Sequence, residues 1–201
     1  MSDIVDLVAA IVWPVLILGF LWYFRGPIRT QLLPRLTGVH GFGLQLTFAA
    51  QALNAATTDR ADISERSRSA AVARLQRDGQ VLNGARILWV DNTPSNNFNE
   101  RRLFERAGAT IDPALRTADG LEATRLHPYD LIISDWARPE SENAGPELLR
   151  ALRDRGVHVP AVFYAGRVQG RERGDAIGLT DRPDELLHIV LDALQTERNT
   201  Q

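Results

Sequence analysis

The distribution of apolar residues divides the chain into three stretches of different character. Residues 7–24 (LVAAIVWPVLILGFLWYF) carry no charged side chain, and residues from about 49 to 84 are rich in alanine, arginine and glutamine. From residue 86 onward, short apolar runs alternate with helical patterns, which is typical of a parallel sheet covered on both faces. The pattern predicts a membrane anchor at residues 1–25, a juxtamembrane segment with a helical linker at 26–85, and an α/β domain at 86–196.

The uncharged stretch is long enough to come close to crossing a lipid bilayer, because a helix rises about 1.5 Å per residue and the hydrocarbon layer is about 30 Å thick. It ends in Trp22, Tyr23 and Phe24, whose rings suit the membrane interface. We expect Trp22 and Tyr23 at the interface together with Arg25 and Arg29. The acidic start and bulky end differ from a cleaved signal peptide, so we predict an uncleaved anchor. A buried core helix is the alternative.

Positive charge follows the predicted span. Arg25, Arg29 and Arg35 come after it, and no acidic residue occurs between Asp6 and Asp59. The positive-inside rule then predicts a single-pass protein of the bacterial inner membrane with its C-terminal domain in the cytoplasm. The arginines and apolar residues after the span suit a segment that lies along anionic lipid. A linker that folds back on the domain is the other interpretation.

The connector between the predicted anchor and the domain has the composition of a helix. It contains no proline and only one internal glycine, Gly79. Its apolar positions are sparse and mostly small, so the helix either packs weakly or pairs with a second copy of the chain. Homo-oligomerisation through this helix is one hypothesis, and a solvated spacer is the other.

Five apolar runs predict the strands of the C-terminal domain. Pro113 lies in the second of them and cannot donate a hydrogen bond to a neighbouring strand, which predicts an edge or a bulge there. Helical patterns separate the runs, including NNFNERRLFERAG with Phe98 among its apolar positions, and the last helix spans Pro183 to about Leu194. The order predicts five strands alternating with five helices. The runs are ARILWVD, TIDPALR, YDLIISD, VHVPAVFYAG and IGLTDRP.

Two aspartates end predicted strands. Asp91 closes the first run and Asp135 closes the third. In an open parallel sheet, ligands bind outside the carboxyl ends of the strands, at the point where the strand order reverses. Two carboxylates at that place form an oxygen-ligand site for Mg²⁺ or a phosphoryl acceptor beside such an ion.

The composition excludes several classes of chemistry. The chain has no cysteine, which excludes disulfides, thiolate zinc sites and cysteine nucleophiles. All 23 basic residues are arginine, which excludes reactions that need a side-chain amine. The net charge of -2 does not favour nucleic acid as a partner. No G-x-G-x-x-G motif follows the first strand, which counts against a dinucleotide site.

The C-terminal domain resembles the receiver domain of bacterial response regulators over residues 86–194. ILWVDNTPSNN resembles the family's first strand with its acidic pair, YDLIISDW its third strand with the phosphorylated aspartate, and PDELLHIVLDAL its final helix. The resemblance implies a flavodoxin-like α/β fold in which helices cover both faces of a five-stranded parallel sheet. It also implies Asp135 as the phospho-acceptor, with Asp91 and Asp135 as metal ligands.

Several positions depart from the family pattern. The acidic pair falls on Asp91 and Asn92, so metal affinity should drop, and we expect weak Mg²⁺ binding or no cofactor. The hydroxyl expected at the end of the fourth strand falls on Ala165, and the expected lysine falls on Arg182. Arg182 and Asn92 stay candidates for contact with a phosphate or another anion. The segment GRVQGRERGDAIG is also short for a receiver.

These features support one leading function and three alternatives. The leading interpretation is a membrane-anchored, non-enzymatic receiver-like module that lacks normal aspartyl phosphorylation and binds an unknown cytoplasmic protein or itself. Trp136 is then a surface or partner-contact aromatic. The alternatives are a phospho-accepting receiver of a two-component pathway, an effector that acts through its membrane helix, and an NAD hydrolase similar to TIR domains. The last would use a glutamate such as Glu140, Glu142 or Glu147.

Overall fold

The computed structural model describes residues 33–58 and 60–200. From residue 45 onward, the described chain forms one compact unit. The connector from residue 45 onward therefore belongs to the same unit as the sheet. The elements are α1 (Leu33–Thr57), α2 (Glu65–Asp78), a 3₁₀ turn (Gly79–Leu82), β1 (Arg86–Val90), a second 3₁₀ turn (Pro94–Asn97), α3 (Phe98–Arg106), β2 (Thr110–Ala114), α4 (Thr117–Leu126), β3 (Leu131–Ser134), α5 (Ala144–Arg153), β4 (Ala161–Tyr164), β5 (Gly178–Thr180) and α6 (Pro183–Thr200).

The strands form one parallel sheet in the order β2-β1-β3-β4-β5. This confirms the predicted five-stranded parallel sheet. It also confirms an edge position for the strand that contains Pro113, because β2 lies at one end of the sheet. The strand order reverses between β1 and β3, so the binding crevice is expected beyond their carboxyl ends.

Helices cover both faces of the sheet. Successive residues of a strand point to opposite faces, so neighbouring residues of β1 contact different helices. Leu88 and Val90 of β1 belong to a buried cluster with Leu148 of α5. Trp89, between them in sequence, packs instead against Phe104 of α3, with ring centroids 6.2 Å apart. The predicted arrangement of helices around the sheet is therefore confirmed.

The connector differs from the single helix predicted for residues 49–84. It forms α1 and α2 with a turn between them, because Ser64 caps α2 by accepting a hydrogen bond from the Ser67 backbone N–H at 3.1 Å. α2 packs along α6, where Arg74 forms an ion pair with Asp192 and lies 3.1 Å from His188 Nδ1. The α2 part of the connector therefore packs on the sheet domain.

The segment between β4 and β5 also differs from the prediction. Residues 165–177 contain no helix, so the expected alternation of five strands with five helices is wrong at this place. Gly170 and Gly174 adopt positive φ angles of 74° and 52° within it, a backbone conformation that interrupts a right-handed helix.

The predicted membrane span at residues 7–24 lies outside the described residues, as do Trp22, Tyr23, Arg25 and Arg29. Among the helices that the structure does describe, none combines the length and apolar character that a bilayer crossing requires. The anchor stays a prediction from the sequence.

Candidate functional site

A cavity of about 260 Å³ opens at the carboxyl ends of the central strands. Asp91 and Asp135 both line it, so the two predicted acids meet at the expected crevice. Four carboxylic acids and one arginine are present among the lining residues, which are Arg60, Asp91, Asn92, Thr93, Asn96, Asn97, Glu100, Asp135, Tyr164, Ala165, Gly166 and Asp181.

Asp91 is buried, with 5% of its surface exposed, and follows the last residue of β1. Its Oδ1 accepts a hydrogen bond from the Thr93 backbone N–H at 2.6 Å, and its Oδ2 accepts one from the Asn97 side-chain amide. The chain turns sharply after β1, and this turn brings both donors back to the carboxylate. Asp91 is therefore held in one orientation by its own loop.

Asp135 lies beside Asp91 at the end of the neighbouring strand. Its backbone N–H donates to the Val90 carbonyl at 2.9 Å, and its Oδ1 accepts from the Trp136 N–H at 2.7 Å. Burial raises the pKa of the Asp135 carboxyl, and the charge of Asp91 acts in the same direction, while the Trp136 N–H and Arg138 oppose the shift. Asp135 therefore holds its proton to a higher pH than an exposed aspartate.

A buried acid and a phenol that the sequence analysis missed form a second part of the site. Tyr164 donates its hydroxyl hydrogen to Glu100 Oε1 at 2.9 Å, and each residue is 7% exposed. Burial raises the pKa of the Glu100 carboxyl. The Tyr164 hydroxyl at the end of the fourth strand is therefore engaged by Glu100, and Ala165 after it carries no hydroxyl. The position of Tyr164 as the last residue of an apolar run was the signal available in the sequence.

Arg60 is the second missed feature, and it comes from the turn between α1 and α2. It is the single cationic side chain among the described residues that line the cavity. Its Nε and Nη2 donate to the two carboxylate oxygens of Asp62 at 3.1 and 3.3 Å. The composition of the connector gave no indication that it reaches the crevice.

The candidate anion contacts lie in two different places. Asn92 lines the cavity, and its side-chain amide donates to Thr93 Oγ1 at 3.0 Å. Arg182 is not among the lining residues. Its Nη2 donates to Asp184 Oδ2 at 2.7 Å, and its Nε lies 3.4 Å from Glu185 Oε1. The structure therefore groups Asp91, Asn92 and Asp135, and it pairs Arg182 with acids at the start of α6.

Trp136 is not the surface aromatic that the sequence predicted. Only 8% of it is exposed. Its ring packs edge-on against Phe163 with centroids 5.1 Å apart, and the Arg171 guanidinium lies 5.2 Å from its centre. The short segment between β4 and β5 supplies Arg171, so this segment covers the indole.

The glutamates considered for hydrolase chemistry lie outside the cavity lining. Glu140 accepts hydrogen bonds from the Thr117 backbone N–H at 2.9 Å and from Arg138 Nε at 3.0 Å. Glu147 accepts one from the Ser141 hydroxyl at 2.8 Å. These contacts stabilise the loop that follows β3 and the first turn of α5.

The cavity offers oxygen ligands of the type that Mg²⁺ prefers. Asp91 and Asp135 fit a partly hydrated ion, since Mg²⁺ is commonly held through one or two carboxylates and keeps several waters. Across the described residues, no three His, Cys, Asp or Glu side chains form a group that could hold a metal. Asp91 and Asp135 would hold such an ion and leave the rest of its ligand positions to water.

Comparisons with solved structures find receiver domains. The signal receiver domain of an HD domain-containing protein from Pseudomonas fluorescens Pf-5 is 19% identical, with a TM-score of 0.51 over 59% of this chain and 92% of that chain. The chemotaxis response regulator CheY4 of Vibrio cholerae is 21% identical, with a TM-score of 0.47 over 56% and 99%. A response regulator from Thermotoga maritima, in complex with Mg(2+)-BeF, is 22% identical, with a TM-score of 0.48 over 54% and 98%.

No family model matches the chain, and no curated protein matches it. At identities this low, the structural comparisons speak to the fold. The five-stranded parallel sheet, its strand order and its helices are those of the flavodoxin-like α/β class. Over 59% of this chain the fold is similar to that of the receiver domain from Pseudomonas fluorescens Pf-5.

Proposed function

We propose that this chain is a membrane-tethered receiver-like module that signals by binding a protein partner, without ordinary aspartyl phosphorylation. The composition of the cavity carries this proposal. Phosphoryl transfer depends on cations and donors that neutralise charge on the transferred group. Around Asp135 the cavity has Ala165 and Asn92 at two of the positions where the receiver pattern expects a hydroxyl and an acid.

The arginine at the position of the receiver lysine also forms its contacts outside the cavity. Arg182, at the position of the expected lysine, is bound to Asp184 through Nη2 at 2.7 Å and Nε at 3.2 Å. A bidentate arginine–carboxylate pair is among the stronger ionic contacts in proteins. Turning Arg182 toward Asp135 would break this pair and leave Asp184, which is 3% exposed, without its partner.

The tether is supported by the sequence of residues 7–24. A single span holds the receiver-like domain at the membrane surface, where the raised local concentration makes weak contacts effective. The partner is then a cytoplasmic protein or a second copy of this chain.

A phospho-accepting receiver is the second candidate, and one observation favours it. Asp91 and Asp135 share a cavity that is open to solvent, and Asp135 is only half-buried. The two candidates differ in whether Asp135 accepts a phosphoryl group.

Incubation of the complete chain with acetyl phosphate and Mg²⁺, followed by intact-mass measurement, separates the two candidates. We expect no adduct with the mass of a phosphoryl group. The matched control is Asp135→Asn, which must behave as the unsubstituted chain does. An acid-labile adduct that forms on the unsubstituted chain and is lost in Asp135→Asn refutes the proposal and establishes the second candidate.

Membrane fractionation tests the tether independently. We expect the complete chain to stay in the membrane pellet after high-salt and alkaline carbonate washes, and a chain without residues 1–30 to be recovered in the supernatant. Release of the complete chain by carbonate would refute the span.

A further inference from the structure

Exposed aromatic rings alternate with arginines along α3 and onto α1. Phe98 begins α3 and is 55% exposed, and the Arg102 guanidinium lies 5.1 Å from the centre of its ring. Arg106, four positions further on, lies 5.7 Å from the centre of the Phe48 ring on α1, and Phe48 is 48% exposed. Residues four apart are neighbours on a helix surface, so the two stacks form one surface. We call this surface, made of Phe48, Phe98, Arg102 and Arg106, the α3–α1 strip.

The strip is ordered and carries positive charge that no acid neutralises directly. Arg106 Nη1 donates to the Phe48 carbonyl oxygen at 3.1 Å, which joins the two helices. Stacking on a ring holds each guanidinium in place and leaves its charge at the surface. Over the described residues, neither Arg102 nor Arg106 forms an ion pair with a carboxylate. Both charges are therefore available to a partner.

This combination of groups suits the surface of an anionic membrane. Exposed aromatic rings enter the interfacial layer of a bilayer, and arginines beside them are attracted to the phosphates of anionic lipids. Of the two acids of α3, Glu100 is buried and accepts the Tyr164 hydrogen bond. Glu105 is exposed and follows Arg102 by three positions, so it opposes the attraction. Two arginines against one acid leave the surface cationic.

The position of the strip in the chain favours lipid over other occupants. Phe48 follows Phe24, the end of the predicted span, by 24 residues, and no acidic residue lies between them. A tether of this length keeps the strip within reach of the bilayer, where the raised local concentration makes weak contacts effective. A second copy that bound the strip by two-fold symmetry would place arginines against arginines.

We propose that the α3–α1 strip is a second membrane contact, which lays the folded domain on anionic lipid with α3 toward the bilayer. This inference rests on the tether of the proposed function. The turn Pro94–Asn97, part of which lines the cavity, leads directly into α3, so the contact also sets which side of the cavity lies near the membrane. It leaves α4 and α5, on the opposite face of the sheet, accessible to the protein partner.

The test compares the distances of the two faces of the sheet from the lipid. The chain has no cysteine, so a single cysteine can carry a dye on either face. Asn99→Cys places the dye on α3 beside the strip, and Ala118→Cys places it at an exposed position of α4, whose Leu121 packs on the opposite face. Energy transfer from each dye to an acceptor on the lipid headgroup is measured for the complete chain in nanodiscs of phosphatidylcholine, with and without phosphatidylglycerol.

We expect stronger transfer from the dye on α3 than from the dye on α4 in discs that contain phosphatidylglycerol, and equal transfer without it. Two arginines near an anionic leaflet favour the proposed orientation by roughly thirtyfold, and high salt should remove the preference. Equal transfer from the two dyes on phosphatidylglycerol would overturn the proposal. A preference of the same size on both lipids would also overturn it, because charge would then play no part.

Substitutions in the strip have opposite expected signs. Arg102→Gln combined with Arg106→Gln should abolish the preference, and Glu105→Gln should strengthen it. The matched control is Arg125→Gln, an exposed arginine of α4, which should leave the preference unchanged. Circular dichroism shows whether each variant is folded. If the double variant unfolds, Glu105→Gln and the salt dependence of the unsubstituted chain still decide the result.

A second arrangement separates this inference from the tether. A chain without residues 1–30 keeps the compact unit that begins at residue 45, and a histidine tag at its N-terminus attaches it to nickel-chelating lipid in the same discs. If the complete chain fails to enter the discs, the proposed span is wrong, and the tagged chain still tests the strip by the same comparison of dyes. Energy transfer between dyes on two copies of the chain, on either lipid, would identify a second copy as the occupant and overturn the proposal.

Discussion

Removal of the Tyr164 hydroxyl is the sharpest stability test of the site. Tyr164→Phe keeps the aromatic ring, which packs edge-on against Trp89 with centroids 6.1 Å apart, and removes only the donor to Glu100. Both partners are 7% exposed, so water cannot readily replace the lost hydrogen bond. A buried acceptor left without its donor costs about 1–3 kcal/mol. We expect a loss of free energy of unfolding of about 2 kcal/mol at pH 7.

The pH dependence follows from the acid. Burial raises the pKa of Glu100 above its ordinary value of 4.5, although the Tyr164 hydrogen bond acts against this shift. The folded chain therefore keeps a proton on Glu100 at pH values where the unfolded chain has lost it. The stabilisation from Glu100 is complete below the unfolded pKa and is lost as the pH rises through the folded pKa. Glu100→Gln removes this loss, and Tyr164→Phe enlarges it.

Urea denaturation of the complete chain, followed by far-ultraviolet circular dichroism between pH 4.5 and pH 8, measures both effects. In the Glu100→Gln background, Tyr164→Phe should cost about 1 kcal/mol, as for a neutral hydrogen bond, and the cost should vary little with pH. A Tyr164→Phe variant as stable as the unsubstituted chain at pH 7, or an unchanged pH slope in Glu100→Gln, would refute the assignment.

Two further substitutions test the loop that carries Asp135. A Cβ at Gly145 would lie 2.7 Å from the Asp135 carbonyl oxygen, so Gly145→Ala should cost about 2 kcal/mol in urea denaturation, whereas Gly166→Ala, which meets nothing within 4 Å, should cost little. Arg138 is 5% exposed, and Arg138→Ala should cost about 3 kcal/mol because it strands buried hydrogen-bonding groups. Partial burial opposes ionisation of Glu140, but backbone donors and Arg138 outweigh it and lower its pKa to about 2. Arg138→Ala should raise this pKa in an NMR titration and reduce the stability lost as the pH falls from 4.5; an unmoved pKa would contradict the pairing.

The strands were predictable because their signal is local. In β3 the run LII is continuously apolar and buried, and Pro113 marked an edge strand through its missing donor. The break between α1 and α2 was not predictable from composition, because helix-forming residues surround it and the Ser64 cap is a single weak signal. In α3 the apolar residue Phe98 is 55% exposed while Glu100 is buried, so tertiary packing overrode the helical pattern.

The two aspartates of the site were predictable from topology, since residues after β1 and β3 must meet at one edge of a parallel sheet. Arg60 was not, because its distance from Asp135 in sequence is bridged only by the packing of the connector against the domain. The Glu100–Tyr164 pair was hidden for the same reason. Hydrogen bonds between distant residues follow from the folded arrangement, and no spacing motif in the chain encodes them.

The amount of acid-labile phosphate on Asp135 tests the central claim most directly. The complete chain and a variant with Asn92→Asp, Ala165→Thr and Arg182→Lys are incubated side by side with acetyl phosphate and Mg²⁺, and the bound phosphate is compared by mass. We expect that the unsubstituted chain stays unmodified and that the variant gains phosphate, because the substitutions restore the acid, the hydroxyl and the amine of the receiver pattern. Near-stoichiometric phosphate on the unsubstituted chain would contradict it.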